Sequence, residues 1–514
     1  MKLSIPCLAT VALSLSLPLA AQEPRAEIPV IGETIDVRVV NVEAVVTSAS
    51  GERARGLTAA DFRLLVDGRE VPVEYFAEVA EGTSVAVKAD PDGGPEAPVA
   101  AGEAVGRSYL VYVDDSFSLA NRRNDVLAKL ERDLAMLGPA DRMALLAFDG
   151  TRINVLCNWT GNAATLKGAL ERARQRPAGG GTMLAHQRAL AVDEDWVLTS
   201  ADSIGTGDSD RAGGIKLNEV GEILAALSKR ISPEARTQLG KTAAATAAAL
   251  RGFEAPPGRK VMLLLSGGWS LSVAPQLYGP MVEAANRLGY TVYPVDASQS
   301  DAYEVSALDT LARATGGRVL VSPGNDAFRQ AVADSASYYW LGFTPAWKAN
   351  DQGHAVTVEV RRPGLVVRSR NGFSDLSRRT ETAMKAESVL LFGGEQDDRR
   401  LIVQLGEPKR QGRAFEVPVT IGVPVEALAL TPQEKGYLAE IPLAVAAEDK
   451  SGRRAELPTS RLKVAIQAVP PAGTYARFQT VVRLSNLDYH LVFTVHDPVG
   501  GHALWGDAQL KPRK

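Results

Sequence analysis

The sequence predicts a mixed α/β protein. We expect a Rossmann-like parallel sheet with helices on both faces, flanked by a small N-terminal β domain and a C-terminal β-sandwich. Apolar runs alternate with helical periodicity between residues 107 and 336, which is typical of a parallel sheet covered by helices. Shorter alternating runs precede residue 80 and follow residue 337. The 514 residues suffice for about three domains.

The overall charge excludes one broad class of function. The chain has 57 Lys+Arg against 60 Asp+Glu, a formal net charge of -3. A general nucleic-acid binder would need a strongly basic domain, so we expect no nucleic-acid partner. Outside the N-terminus no apolar run approaches the roughly 20 residues of a membrane helix, so we expect no membrane span.

Residues 1–21 have the pattern of a secretory signal peptide. One lysine precedes an apolar stretch, and small residues follow it, which predicts cleavage after Ala21. A short membrane anchor is the alternative, but Ser and Pro interrupt the apolar stretch. Cys7 would leave with the signal, so that only Cys157 remains and no internal disulfide can form. Export without disulfides favours a secreted, periplasmic or cell-envelope location in a bacterium.

Two segments precede the α/β domain. Residues 22–79 form the predicted β-rich domain, in which 34–48 alternate apolar and polar side chains. Asp67 and Gly68 between two alternating runs predict a hairpin. Residues 80–106, rich in Ala, Gly, Pro and Glu, have the composition of a flexible linker.

The α/β domain is expected over residues 107–336, with a helical insertion at about 186–255. The predicted strands are 108–114, 142–148, 152–157, 260–266, 291–296 and 318–322, and the predicted helices are 120–137, 162–175, 276–288 and 303–315. Residues 337–375 are interpreted as a β extension of this domain. Residues 385–514 contain short alternating runs with Pro and Gly between them, which favours a separate β-sandwich.

Candidate ligand side chains follow the first strand of the predicted sheet. Ligands of open parallel sheets bind beyond the carboxyl ends of the strands. There Asp114, Ser116 and Ser118 form the pattern D-x-S-x-S, and Thr182 follows three consecutive glycines in another loop. One carboxylate and several hydroxyls suit a hard cation such as Mg²⁺. A strand end followed by a helix cap would explain D-x-S-x-S equally well, because Asp and Ser are favoured there.

Several motifs together resemble a known family. They are VNVEAVVTSASGERARGLTAADFRLLVDG, YLVYVDDSFS, ADRMALLAFDG, GGGTMLAHQRAL, KVMLLLSGGWS, VYPVDAS, SYYWLGFTP and RRPGLVVRSRNGF. The sequence resembles a von Willebrand factor type A (VWA) domain and, more narrowly, the secreted VWFA-related proteins of acidobacterial type. The resemblance covers most of the chain after residue 21.

The resemblance implies a metal-ion-dependent adhesion site. In the family such a site holds Mg²⁺ or another divalent cation, and an acidic group of a protein partner completes the coordination. By position, Asp114, Ser116, Ser118 and Thr182 would be the ligands. The family's fifth position is an aspartate, for which this chain has Gly267. The loss of one negative charge predicts weak metal binding.

Three further carboxylates lie at or near strand ends and would add negative charge around the ion. They are Asp115, Asp149 and Asp296.

The function expected from this pattern is that of an exported, non-catalytic adhesion-type protein, which engages a protein partner through this partly degenerate divalent-cation site. No nucleophile with an adjacent base is recognisable, and neither a GxSxG elbow nor a dinucleotide fingerprint is present. A metal-free VWA-type scaffold in an envelope assembly is the alternative, which Gly267 favours. A hydrolase with an atypical site is the remote alternative.

Overall fold

The computed structural model describes residues 39–85, 98–181, 233–253, 255–267, 274–297, 307–320, 326–393, 400–412, 414–497 and 503–511. The predicted signal peptide lies outside them, as do residues 182–232, which include most of the predicted insertion. The helices are α1 (Ala120–Arg132), α2 (Ala163–Arg174), α3 (Pro233–Gly252), α4 (Ala274–Leu288), α5 (Ala307–Ala314), α6 (Ala327–Ser335) and α7 (Arg378–Phe392). Among the described residues, none of the helices has the length and apolarity that a membrane span requires.

The strands fall into three groups along the chain. The first comprises β1 (Val40–Ser48), β2 (Phe62–Val66), β3 (Arg69–Val71), β4 (Tyr75–Ala80) and β5 (Thr83–Val85). The central group is β6 (Arg107–Asp114), β7 (Arg142–Phe148), β8 (Ile153–Thr160), β9 (Arg259–Ser266) and β10 (Tyr290–Asp296). The last comprises β11 (Tyr338–Phe343), β12 (Gly353–Val360), β13 (Leu365–Arg368), β14 (Gly372–Ser374), β15 (Ile402–Leu405), β16 (Lys409–Gln411), β17 (Ala414–Pro424), β18 (Thr431–Gln433), β19 (Gly436–Asp449), β20 (Arg454–Ile466), β21 (Tyr475–Ser485), β22 (Tyr489–His496) and β23 (Ala503–Leu510).

The central sheet is mixed. Strands β10, β9, β6 and β7 are parallel in that order, and β8 pairs antiparallel with β7 at the edge. The expectation of an all-parallel sheet is therefore wrong at β8. Only 149–152 separate β7 from β8, and a parallel crossover needs about a dozen residues or more. The predicted strand at 318–322 contributes a single described bridge, between Leu320 and Val295.

Helices cover both faces of the central sheet, as predicted. Successive side chains of a strand point to opposite faces, so Leu110 and Tyr112 of β6 join one hydrophobic cluster, whereas Tyr109 and Val111 join another. Helices α3, α4 and α5 supply the first cluster, and α1, α2 and α6 supply the second. Helix α3 belongs to the predicted insertion but forms part of the core, and α6 is an element that the sequence pattern did not predict.

Strands on both sides of the α/β domain form one β unit. β1 pairs with β11 and β13, and β12 pairs with β2, all antiparallel. Residues 337–375 therefore complete the N-terminal β domain, and the expectation that they extend the α/β domain is wrong. The cause is shared burial, since Val42, Leu64 and Leu341 lie in one hydrophobic cluster that neither segment could form alone.

The hairpin at Asp67 and Gly68 is confirmed. β2 and β3 pair with Val66 opposite Arg69. Asp67 has φ of 49° and Gly68 has φ of 76°. Two successive residues with positive φ are what a two-residue type I′ turn requires.

The predicted linker is paired with the β unit at both ends. The amide of Ser84 donates to the carbonyl of Glu103 at 2.9 Å, and the amide of Gly102 donates to the carbonyl of Ser84 at 2.8 Å. A linker that spans all of 80–106 is therefore too long, because backbone pairing orders both of its ends. Its central part, 86–97, lies outside the described residues.

The C-terminal region contains two antiparallel sheets. One has β15, β17, β16 and β21, and the other has β18, β19, β22, β23 and β20. Buried side chains of both sheets form one hydrophobic cluster. Helix α7, which the sequence pattern did not predict, covers the opposite face of the second sheet, where Ala386 and Leu390 pack on Ala444 and Val492.

A buried carboxylate joins the β unit to the α/β domain. Asp334 of α6 is 8% exposed. Its Oδ1 accepts a hydrogen bond from Arg53 at 2.8 Å, and its Oδ2 accepts from Tyr293 at 2.7 Å and from Arg368 at 2.5 Å. Burial raises the pKa of Asp334, but Arg368, Tyr293 and Arg53 outweigh burial and hold it below its ordinary value.

Replacement of this carboxylate should destabilise the protein strongly. Asp334→Asn leaves the surrounding arginines without their counter-charge, and we expect a loss of about 3 kcal/mol in the free energy of unfolding. Because the folded-state pKa is depressed, the contribution is fully present above about pH 4 and is lost as the pH falls through the folded value. Chemical denaturation at pH 7 and at decreasing pH measures both effects.

The matched control is Asp309→Asn. Asp309 also pairs with an arginine, Arg313, at 2.6 Å, but the arginine side chain is 76% exposed. An exposed pair of this kind contributes little, so we expect a change within about 0.5 kcal/mol. Equal effects of the two variants would contradict the role given to Asp334.

Candidate functional site

Asp114 is fully buried at the carboxyl end of β6. Its Oδ1 accepts hydrogen bonds from the amides of Ser116 at 3.1 Å and Phe117 at 3.3 Å. Its Oδ2 accepts from the hydroxyl of Ser266, the last residue of β9, at 2.8 Å. Burial raises the pKa of Asp114 to about 7, although these three hydrogen bonds lower it. Both carboxyl oxygens are thus engaged by the chain itself.

The two serines of the motif also have partners within the protein. The hydroxyl oxygen of Ser116 accepts a hydrogen bond from Nε2 of Gln238 at 3.2 Å, and the same amide group donates to the carbonyl of Gly150 at 3.3 Å. Gln238 lies in α3, so this helix reaches the strand end. The hydroxyl of Ser118, which is fully buried, lies 3.4 Å from the carbonyl of Leu265, to which it donates.

Asp115 points to a different set of partners. Its Oδ1 accepts from Nη1 of Arg123, and its Oδ2 accepts from Nε of Arg176, both at 2.6 Å. The Arg123 side chain has no exposed surface, and its Nη2 also donates to the carbonyl of Arg176 at 2.7 Å. Two arginines therefore compensate the charge of Asp115, which leaves little to attract a cation.

The glycine loop packs closely on the same strand end. The amide of Gly179 donates to the carbonyl of Asp115 at 2.7 Å, and the amide of Gly180 donates to the carbonyl of Ser118 at 3.2 Å. A Cβ atom at Gly180 would overlap the backbone of Ser118, so only glycine fits there. Thr182 follows this loop but lies outside the described residues.

The remaining predicted positions occupy the same edge of the sheet. Gly267 is buried, and its amide donates to the carbonyl of Phe117 at 2.6 Å. Asp149 is exposed and accepts hydrogen bonds from the amides of Thr151 at 2.9 Å and Arg152 at 2.8 Å. The side chain of Asp296, at the end of β10, lies outside the described part of the chain.

A divalent cation fits the described residues poorly. Among the described residues, the structure brings Asp114, Ser116 and Ser118 together, and the adjacent carboxylate of Asp115 is already paired with two arginines. Within the described ranges no group of three or more His, Cys, Asp or Glu side chains could hold a metal ion. Mg²⁺ requires near-octahedral oxygen coordination, whereas the oxygens here accept hydrogen bonds from Ser266 and Gln238 or donate to a backbone carbonyl.

Four residues of this site were not predicted from the sequence. Ser266 ends a buried strand at the same edge, so the rule that identified Asp114 would have identified it too. Arg123 precedes the buried Val126 and Leu127 by one helical turn, and this periodicity places it on the buried face. Neither Arg176 nor Gln238 has a comparable signal, because each contact depends on the tertiary fold.

The comparisons with known proteins gave structural similarities only. No protein-family model and no curated protein matches the chain. Similar solved structures include "Crystal Structure of the TFIIH p34 N-terminal Domain", at 13% identity and TM-score 0.21, which covers 44% of this chain and 96% of that chain. They also include "Crystal Structure of the SpRpn10 VWA domain", at 12% identity and TM-score 0.21, which covers 44% of this chain and 95% of that chain. Similarities at these TM-scores carry no argument about function.

The pKa of Asp114 predicts a pH dependence of stability. Because the folded-state pKa is raised, the folded protein binds the proton more tightly than the unfolded chain, and this carboxyl makes stability fall as the pH rises from about 4 to about 7. Asp114→Asn removes that titration. We therefore expect the free energy of unfolding of the variant, relative to wild type, to increase from pH 5 to pH 8 in chemical denaturation.

Asp149→Asn is the control for this titration. Burial raises the pKa of Asp149, but hydrogen bonds to Arg152, Asn154 and Thr151 hold it below its ordinary value. Between pH 5 and pH 8, the free energy of unfolding of Asp149→Asn should change with pH in parallel with that of wild type. A parallel profile for Asp114→Asn as well would contradict the raised pKa.

Proposed function

We propose that the chain is an exported, non-catalytic protein that binds a protein partner through the strand-end edge of a VWA-type domain. This edge is formed by the carboxyl ends of β6 and β9 and by the glycine loop 179–181. The motifs around Asp114 support the VWA class, and the signal-like residues 1–21 support export to the envelope or the medium. The edge would act as a preformed surface that needs no tightly held cation.

The observation that carries this proposal is that both carboxyl oxygens of Asp114 accept hydrogen bonds from other groups of the protein. A carboxylate that ligates a cation also accepts hydrogen bonds from the protein, but it keeps an oxygen lone pair for the ion or its waters. Here the Ser266 hydroxyl and two backbone amides engage it, and burial raises its pKa. A metal ion that bound this carboxyl would have to displace its proton, so metal binding would weaken as the pH falls below about 7.

The cation-dependent form of the same function is the second candidate. Its support is that Asp114, Ser116 and Ser118 bring three oxygen-bearing side chains to one strand end. The two forms differ in whether magnesium is needed for partner binding, so experiments can separate them.

A hydrolase has less support. Ser266 and Asp114 do form a hydroxyl–carboxyl pair at 2.8 Å. Both residues have no exposed surface, however, so a substrate could not reach the hydroxyl. No described histidine lies beside this pair to act as a base.

Partner capture tests the proposed surface. Gly181 is exposed, and a Cβ atom there would meet nothing within 4 Å. Gly181→Arg therefore adds a bulky side chain to the edge without disturbing the core. We expect mature wild-type protein to capture a partner from the native envelope both with magnesium and with EDTA, and Gly181→Arg to lose it.

Gly353→Arg is the matched control, because Gly353 is also exposed with open space around it but lies in the β unit. It should capture the same partner as wild type. Capture that EDTA abolishes would favour the cation-dependent form. Capture that survives Gly181→Arg would mean that the edge is not the binding surface.

Magnesium titration tests the site itself. Asp114 brings at most one negative charge, so we expect weak binding to wild type in calorimetry. Gly267→Asp adds a second charge at the position where the family has aspartate, which should tighten binding about ten- to thirtyfold after screening and desolvation. Asp114→Ala should show no binding.

Thermal unfolding of each variant establishes that it is folded, since Gly267 is buried and a larger side chain there needs space. If Asp114→Ala binds magnesium as well as wild type does, these residues are not the site. If wild type binds tightly, the cation-independent proposal fails.

A further inference from the structure

A cavity lies between the β unit and the α/β domain, well away from the strand-end edge. It has a volume of about 490 Å³, within the range of small-molecule sites. β1, β11 and residues near β14 line one side, and the end of α4 with the start of β9 lines the other. We call it the junction cavity.

The junction cavity is predominantly cationic. Lys260, Arg287 and Arg370 line it, against a single acidic lining residue, Glu43. Arg287 also pairs with Glu283, one turn earlier in α4, at 2.5 Å. Burial lowers the pKa of Arg370, and the negative charge of Glu43 opposes this shift only in part. Positive charge therefore still exceeds negative charge around the cavity.

Three buried N–H groups of its lining residues have no hydrogen-bond acceptor in the described part of the chain. They are Nε of Arg287, Nε of Arg370 and Nε1 of Trp340. Arg370 is 8% exposed, and its Nη1 donates to the carbonyl of Asn286 at 2.5 Å. This bond holds the guanidinium in place, but its Nε has no acceptor among the described residues. Buried donors without an acceptor cost free energy, and folded proteins rarely leave them so.

The other walls of the cavity are aromatic and apolar. Trp340, Trp347 and Phe373 line it together with Leu288, and Trp347 packs edge-on against Phe373 with ring centroids 6.0 Å apart. Such walls suit a flat apolar body, whereas a bare inorganic anion would leave them exposed to water.

We propose that the junction cavity binds a small carboxylate whose body is aromatic or apolar. The carboxylate would supply a counter-charge for the arginines and, once the side chains rotate toward it, acceptor oxygens for the unpartnered N–H groups, which have almost no accessible surface without a ligand. Charge-assisted bonds between arginine and carboxylate are among the strongest hydrogen bonds in proteins. The aromatic walls would enclose the body. A free organic acid and the C-terminal residue of a peptide share this chemistry.

Calorimetry on the full-length mature protein tests the proposal with defined probes. The probes are 3-phenylpropanoate, the neutral 3-phenylpropanamide of the same shape, N-acetylphenylalanine as a mimic of a peptide end, and inorganic phosphate. We expect the phenylpropanoate to bind with one-to-one stoichiometry and the amide to bind at least about tenfold more weakly. Tighter binding of N-acetylphenylalanine than of phenylpropanoate would identify a peptide end as the source of the carboxylate.

Two variants locate the site. Arg287→Gln removes a charge and one of the three unpartnered N–H groups, and Trp340→Phe removes a second N–H group but keeps an aromatic ring. We expect phenylpropanoate binding to weaken about tenfold and about threefold, respectively. Arg313→Gln, which breaks the similar pair with Asp309 on α5, and Trp505→Phe in β23 are the matched controls and should bind as wild type does.

Thermal unfolding without ligand establishes that the variants are folded, and the comparison of acid with amide needs no variant. The proposal is overturned if phenylpropanoate does not bind, if the amide binds equally well, or if phosphate binds as tightly as the acid. It is also overturned if the controls weaken binding as much as Arg287→Gln and Trp340→Phe do.

Discussion

The ion pairs of Asp334 hold the β unit and the α/β domain together. Arg53 follows β1, Arg368 ends β13, and Tyr293 belongs to β10. A carboxylate this deeply buried would be costly without its partners, so the first strand, the last strands of the β unit and the α/β domain must assemble together. The α/β domain is thus inserted between two parts of the β unit, and one buried carboxylate near its exit binds arginines from both parts.

The two ends of the central sheet contain buried groups of opposite charge. At one end, Asp114 is buried and takes hydrogen bonds from neutral donors. At the other, Arg107 and Arg259 lie opposite each other in the register of β6 and β9. Arg107 pairs with Asp141 at 2.6 Å, and Arg259 stacks on the Tyr338 ring at 4.3 Å from its centroid. The two arginines are thus compensated locally by a carboxylate and an aromatic ring, whereas Asp114 is stabilised by hydrogen bonds alone.

The sequence predicts what depends on neighbouring residues. Asp67 and Gly68 specify a hairpin because only certain residues accept positive φ, and buried strands such as β6 and β9 are recognisable as continuous apolar runs. Pairings between distant segments are different. The pairing of Val42 with Leu341 joins residues almost 300 positions apart, and both strands would fit several sheets by pattern alone. The same limit applies to the candidate site. Asp114 can be predicted from its position at the end of a strand, whereas the contact of Gln238 with Ser116 depends on where α3 packs.

The strand-end edge and the junction cavity are physically separate sites. Lys260 at the cavity and Ser266 at the edge belong to the same strand, β9, and six residues of strand span about 20 Å. Every residue of β9 between them is buried in a packed sheet, which deforms little. An occupant of the cavity would therefore act mainly on the junction of β1, β11 and α4, where it would add contacts across the same boundary that Asp334 holds together. Binding there would stabilise the union of the two domains without altering the edge at Asp114, so the two sites can serve different partners.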